Sequence, residues 1–304
     1  MREDYIVIRS LSDLFLNTSS YKPVITILRG RKFKEVENTH QLCDKKELLQ
    51  LTRILSSEGL GVITRVPPCL KHIALLEAID FTNNSITKVP DWVGELTLLR
   101  NISFQSNQLS NWPLAFDKLK FLETIYLSNN PIGSIPNSAI THMPNLEKLS
   151  LSFCNLKEFK VQFHSFCQLY YLDLSWNDIE FIDADLSQCI KLEHLNLSNM
   201  KLTSFPKDIC GLLNLTFLSI SGTQVLRVPQ EIVKLTKLQF LDLSECELTR
   251  IPLELLMLPN LKELHLGGNY FTEEYKNQII KSAPEGLELN FQGMFDDFDD
   301  CLWD

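Results

Sequence analysis

The sequence predicts an α/β solenoid built by stacking one short unit, in place of the two or so compact domains that 304 residues would otherwise suggest. Three observations carry that expectation. A pattern of spaced apolar residues returns every 23 residues, with a single interval of 24. Within each unit the apolar residues alternate, as the period of two along a half-buried strand requires. Prolines recur at one register of most units. A unit of this length cannot bury its apolar side alone, so stacked neighbours must make the core.

Four segments show the pattern directly: "LEAIDFTNNSITKVP" (76–90), "LETIYLSNNPIGSIP" (122–136), "LEHLNLSNMKLTSFP" (192–206) and "LQFLDLSECELTRIP" (238–252). They share L-x-x-L-x-L-x-x-N-x-L-x-x-L-P. Units start at Leu76, Leu99, Leu122, Leu146, Leu169, Leu192, Leu215, Leu238 and Leu261, nine in one register. The chain resembles the leucine-rich-repeat family over roughly 60–292. The resemblance implies a curved horseshoe with a parallel β-sheet on its concave face and short helices or extended turns on its convex face. The L-x-x-L-P form is similar to the intracellular Ras-suppressor-like class. It is also similar to eukaryote-like repeat effectors of intracellular bacterial pathogens. A nearly pure repeat chain rich in Lys, Asn, Ile and Phe favours the second.

Taken in order, residues 1–59 read as an N-terminal capping region. The runs "YIVI" and "VITIL" have β character. "DKKELLQLTRILSS" reads as an amphipathic helix over 44–57, opened by Asp44 with Glu47 and stopped by Gly59. Segment 62–73 aligns with 85–96 and reads as a half-repeat whose strand has decayed. Nine full repeats follow from Leu76, within a solenoid over 60–292.

The ninth position of the units holds Asn84, Asn107, Asn130, Cys154, Asn177, Met200, Thr223, Cys246 and Asn269. In the family, Asn here satisfies backbone groups of the turn, and Cys or Thr can replace it. Cys154 and Cys246 are therefore expected as ladder residues, not nucleophiles, and Met200 must rely on packing or water. Pro90, Pro113, Pro136, Pro206, Pro229 and Pro252 fit an extended convex turn, since Pro fixes φ and donates no backbone bond. Two consecutive units, reading "EFKVQF" and "FIDADL", lack it. A helix is expected over 272–283, a last strand within 286–291, and an acidic, aromatic tail over 293–304.

Several functions are disfavoured. A formal net charge of −9 argues against nucleic acid as a partner. No apolar run approaches the ~18 residues of a membrane span, and "MREDYIVIRS" is no secretory leader. Eight Cys form no C-x-x-C and read as reduced thiols. The expected setting is the cytoplasm, or a host cytosol reached without a classical signal peptide. No phosphate loop, nucleophile elbow or metal signature occurs. No enzyme activity, cofactor, small-molecule cofactor site or metal is expected.

Register then assigns exposure. Side chains at the third, fifth, seventh and eighth positions face the concave side. Early units place small polar groups there. The middle units place Tyr126, Phe153, Tyr171, Trp176, His194, Phe217 and Phe240, flanked by Asp173 and Asp242, with Glu245 and Glu263 beyond. Neighbouring strands lie ~4.8 Å apart, which makes one continuous patch on the order of 25 Å across. Contiguous exposed aromatics mark interaction sites. The expectation is a non-enzymatic adaptor, scaffold or inhibitor gripping a protein partner, with the acids calling for a basic surface on it. Two alternatives stand beside it. One is a ubiquitin-ligase-type repeat effector lacking its catalytic domain; the other is a receptor for a peptide or small molecule.

Overall fold

The computed structural model describes residues 63–73, 75–163 and 167–292, preceded by two short strands. Twelve strands among the described residues form one sheet in sequence order, all neighbours parallel. They are β1 (Ile25–Ile27), β2 (Ile54–Ser56), β3 (Ala78–Asp80), β4 (Asn101–Ser103), β5 (Thr124–Tyr126) and β6 (Lys148–Ser150). β7 (Tyr171–Asp173), β8 (His194–Asn196), β9 (Phe217–Ser219), β10 (Phe240–Asp242), β11 (Glu263–His265) and β12 (Glu288–Asn290) complete it.

Each full repeat lends the sheet its third, fourth and fifth residues. The fourth points inward, so Leu149, Leu172, Leu195 and Leu218 are fully buried. Leucines at the first and sixth positions bury beside it, and the core runs unbroken from Val66 to Ile279. A fully buried aliphatic contributes roughly 1.5–3 kcal/mol. Phe81 and Phe104 stack in the N-terminal part of this core, ring centroids 5.4 Å apart. The strands pack at sheet spacing while the returning segments carry wider helical turns, so the stack bends towards the sheet and makes it the concave face.

The prolines act more specifically than an extended turn. Pro67, Pro90, Pro113, Pro206, Pro229 and Pro252 each end an extended stretch and cap a five-residue 3-10 helix. Their fixed φ suits the start of such a turn. The two units without proline differ on the convex side. One pairs Phe159 with Ile182 of the next in an isolated bridge. The other forms only a short 3-10 turn, Leu186–Gln188, whose Asp185 accepts a bond from Ser187 N–H.

The ninth-position ladder binds repeats together. Asn177 Nδ2 donates to Leu151 O (2.8 Å) and Leu174 O (2.7 Å), and its Oδ1 accepts from Cys154 N–H and Leu156 N–H. Cys154 Sγ donates to Leu127 O, Thr223 Oγ1 to Ile220 O, and Cys246 Sγ to Ile220 O. Met200 is buried and packs into the core instead.

Two expectations at the N-terminal end are corrected. Residues 54–56, assigned to the end of a helix over 44–57, form strand β2, paired with β3 at Ile54↔Ala78. The rest of that helix lies outside the described residues. The half-repeat therefore has a strand, displaced by one residue from the 23-residue register, which hides it from a pattern search. At the other end α1 (Glu273–Ser282) is capped by Thr272, whose Oγ1 accepts from Tyr275 N–H. The acidic, aromatic tail over 293–304 lies outside the described residues.

Candidate functional site

The concave aromatics divide into two features where the sequence suggested one patch. The first is a column at the third position. Parallel pairing sets Tyr171 beside His194, His194 beside Phe217, and Phe217 beside Phe240. Their ring centroids are 4.5, 4.0 and 4.7 Å apart, with interplanar angles of 11°, 10° and 1°. The spacing follows from the ~4.8 Å strand separation, which is also close to a stacking distance. The ring faces are used within the column, which leaves the ring edges as its outer surface. His265, tilted at 59° to Phe240, closes the C-terminal end.

The second feature sits at the eighth position, in the turn after the strand. This residue adopts positive φ in every full repeat. Most repeats place Asn, Ser or Gly there. Phe153 and Trp176 do not fit that set. They hold φ of 52° and 57°, stack with centroids 4.7 Å apart, and remain 49% and 46% exposed. A left-handed conformation costs an ordinary L-residue roughly 1–2 kcal/mol. Between the two features lie the small side chains of the fifth and seventh positions, including Ser150, Asn196, Ser219, Ser198 and Ser221.

Other candidates take different roles. Asp173 Oδ1 accepts from Ser175 N–H (3.0 Å) and Ser175 O–H (2.7 Å), and Asp242 repeats this with Ser244. Both aspartates thus close the turn after their strand, a structural task the sequence reading did not give them. Asn196 does the same for Ser198 N–H. The signal was present as D/N-x-S at the fifth and seventh positions. Burial raises the Asp173 carboxyl above its usual value, partly offset by the Ser175 bonds. Tyr126 is only 9% exposed, and it offers a partner little surface.

Lys148 was missed. It occupies the third position just before Tyr171, and its Nζ lies 5.4 Å from the Tyr170 ring centroid. It is the single Lys or Arg at the concave positions of the full repeats. Glu245, Glu263 and Asp242 sit at the opposite end of the column, with Glu263 3.7 Å from His265. The column is therefore flanked by Lys148 at one end and by acidic side chains at the other. Burial between rings lowers His194 to about 4, so it is neutral at physiological pH.

The buried thiols of Cys154 and Cys210 are pushed up to about 12 and about 11 by burial, which keeps them protonated. Among the described residues no helix is long and apolar enough to cross a membrane.

Two family models match the chain. One, described as "Leucine rich repeat", covers 113–156 and 167–225. The other, "Leucine Rich repeats (2 copies)", covers 236–282. No curated protein sequence matches. Among solved structures, the chain is similar to the functional domain of InlJ from Listeria monocytogenes, which includes a cysteine ladder. The TM-score is 0.62 at 22% identity, over 82% of this chain and 50% of that one. It is also similar to the ectodomain of the Arabidopsis thaliana receptor kinase GASSHO1/SCHENGEN3 in complex with CASPARIAN STRIP INTEGRITY FACTOR 2. There the TM-score is 0.59 at 25% identity, over 80% of this chain and 33% of that one. A TDR receptor gives 0.67 at 22%, over 77% and 41%. This chain thus spans half or less of each of these chains.

Proposed function

The chain is a leucine-rich-repeat protein, and from that premise we propose that it is a non-catalytic recognition module holding a protein partner on its concave face. Such folds are generally protein-interaction modules. The observation that carries the reading is the Phe153–Trp176 pair. Two large rings are kept exposed, on backbone that Gly or Asn would occupy at lower cost. Strain of this kind concentrates at functional positions. The partner segment lies between that pair and the Tyr171–Phe240 column. It presents basic groups to Glu245 and Glu263 and an acidic group to Lys148. Adaptor, scaffold and inhibitor all remain forms of this activity. The setting we assign is a reducing cytosol, the cell's own or a host's, where free thiols are the resting state.

The test is affinity capture by the intact chain beside a Tyr171→Ala, Trp176→Ala, Phe217→Ala triple variant. Captured proteins should fall away with the variant while its melting remains cooperative, because these side chains lie outside the leucine core. Equal capture by both proteins would sink the reading.

A further inference from the structure

We propose that Cys167 and Cys189 form a redox couple that closes to a disulfide between adjacent repeats, in the turns that lead into two neighbouring strands. The two sulfurs lie 3.2 Å apart, with one thiol donating to the other. Bond formation needs a contraction of about 1 Å, since a disulfide S–S bond is about 2 Å. Cys167 is half-buried beside Met143, Leu146 and Phe163, and Cys189 is fully buried. One thiol is thus open to a reagent and the other shielded behind it.

The backbone holds the buried member in place. Cys189 N–H donates to Leu186 O, and Leu192 N–H donates to Cys189 O, both at 2.9 Å. The two thiols also differ chemically. The sulfur–sulfur hydrogen bond lowers Cys167, whereas that bond and burial raise Cys189. Cys167, the half-buried member that a reagent reaches first, is accordingly the attacking thiol.

The reaction balances with a low-molecular-weight disulfide such as oxidised glutathione as oxidant. The Cys167 thiolate attacks one of its sulfurs, forming a mixed disulfide and expelling one glutathione thiolate. Cys189 then gives up its proton and attacks Cys167 sulfur, expelling the second glutathione as a thiol. Two protein thiols are oxidised and one small disulfide becomes two thiols.

Cys167 lies two residues before Leu169 and Cys189 three before Leu192, so the bond ties together the turns that feed β7 and β8. Those strands carry Tyr171 and His194, whose rings stack. Oxidation therefore fixes the spacing of two repeats under the concave column. The other cysteines described do not share this arrangement: Cys154 and Cys246 are spent on the ladder.

The test incubates the fully reduced chain with oxidised glutathione, blocks remaining thiols by alkylation and maps the peptides. The expected product is a Cys167–Cys189 linked peptide, reversible by dithiothreitol, with a raised melting temperature. A Cys189→Ala variant should instead accumulate glutathione on Cys167, after circular dichroism has shown it folded. The proposal is overturned if glutathione persists on Cys167 of the native chain with Cys189 still alkylatable. It is equally overturned if Cys154 or Cys210 reacts first, or if Cys167 links elsewhere.

Discussion

Trp176 shows at residue scale how a repeat position can depart from what its backbone favours. At φ 57° the backbone favours Gly or Asn, yet an indole stands there, stacked on Phe153. Replacing Trp176 with Asn relieves about 1 kcal/mol of backbone cost. It also removes a stack worth about 0.5–1.5 kcal/mol. The two nearly cancel, so Trp176→Asn should change unfolding free energy by less than about 1 kcal/mol, as read by urea titration. Partner affinity, measured by calorimetry, should fall at least tenfold. A large loss of stability with unchanged affinity would make the ring structural. The register placed this residue on the concave face; the left-handed backbone that makes its presence informative was not legible from residue types alone.

At the scale of the element, the third-position column turns four parallel strands into one stacked surface. His194 is its single ionisable ring between flanking rings, and burial lowers it to about 4 from an ordinary 6.5. The unfolded chain therefore binds a proton below pH 6.5 that the folded chain refuses until about pH 4. Stability from this group is present above pH 6.5 and is lost as pH falls towards 4. Asp173, raised by burial, acts in the opposite sense nearer the acid end. Comparison with His194→Phe isolates the histidine, since Phe continues the Phe217–Phe240 stack. The melting-temperature difference in favour of the variant should widen from neutral pH down to about 4 and then level off. A constant difference across that range would mean that His194 is not held neutral. The side-by-side placement of the four rings could be read from the 23-residue offset. Their mutual stacking, which spends the faces and leaves the edges, depends on strand spacing and side-chain rotamers.

Across the whole molecule, stability is nearly one-dimensional, a sum of repeats and the joints between them. Asn177 is such a joint, because it bonds Cys154 N–H, Leu156 N–H and Leu151 O of the preceding repeat. Asn177→Ala leaves these buried groups without their partner, at about 1–3 kcal/mol each. The variant should lose about 3–5 kcal/mol. Its urea transition should also broaden as the two halves unfold separately, seen by comparing circular dichroism with tryptophan fluorescence. A transition that shifts while keeping its steepness would show that the array still unfolds as one unit.

The sequence by itself determined the repeat, its register, the leucine core, the ladder roles of Cys154 and Cys246, and which side chains face the concave side. These follow from periodicity, which each repeat states again. Only the tertiary structure decided that most of the repeat prolines start 3-10 helices and that residues 54–56 extend the sheet. It alone split the aromatics into a column and a strained pair and brought Cys167 against Cys189. Those features arise between repeats, from distances and backbone conformation that no single unit encodes.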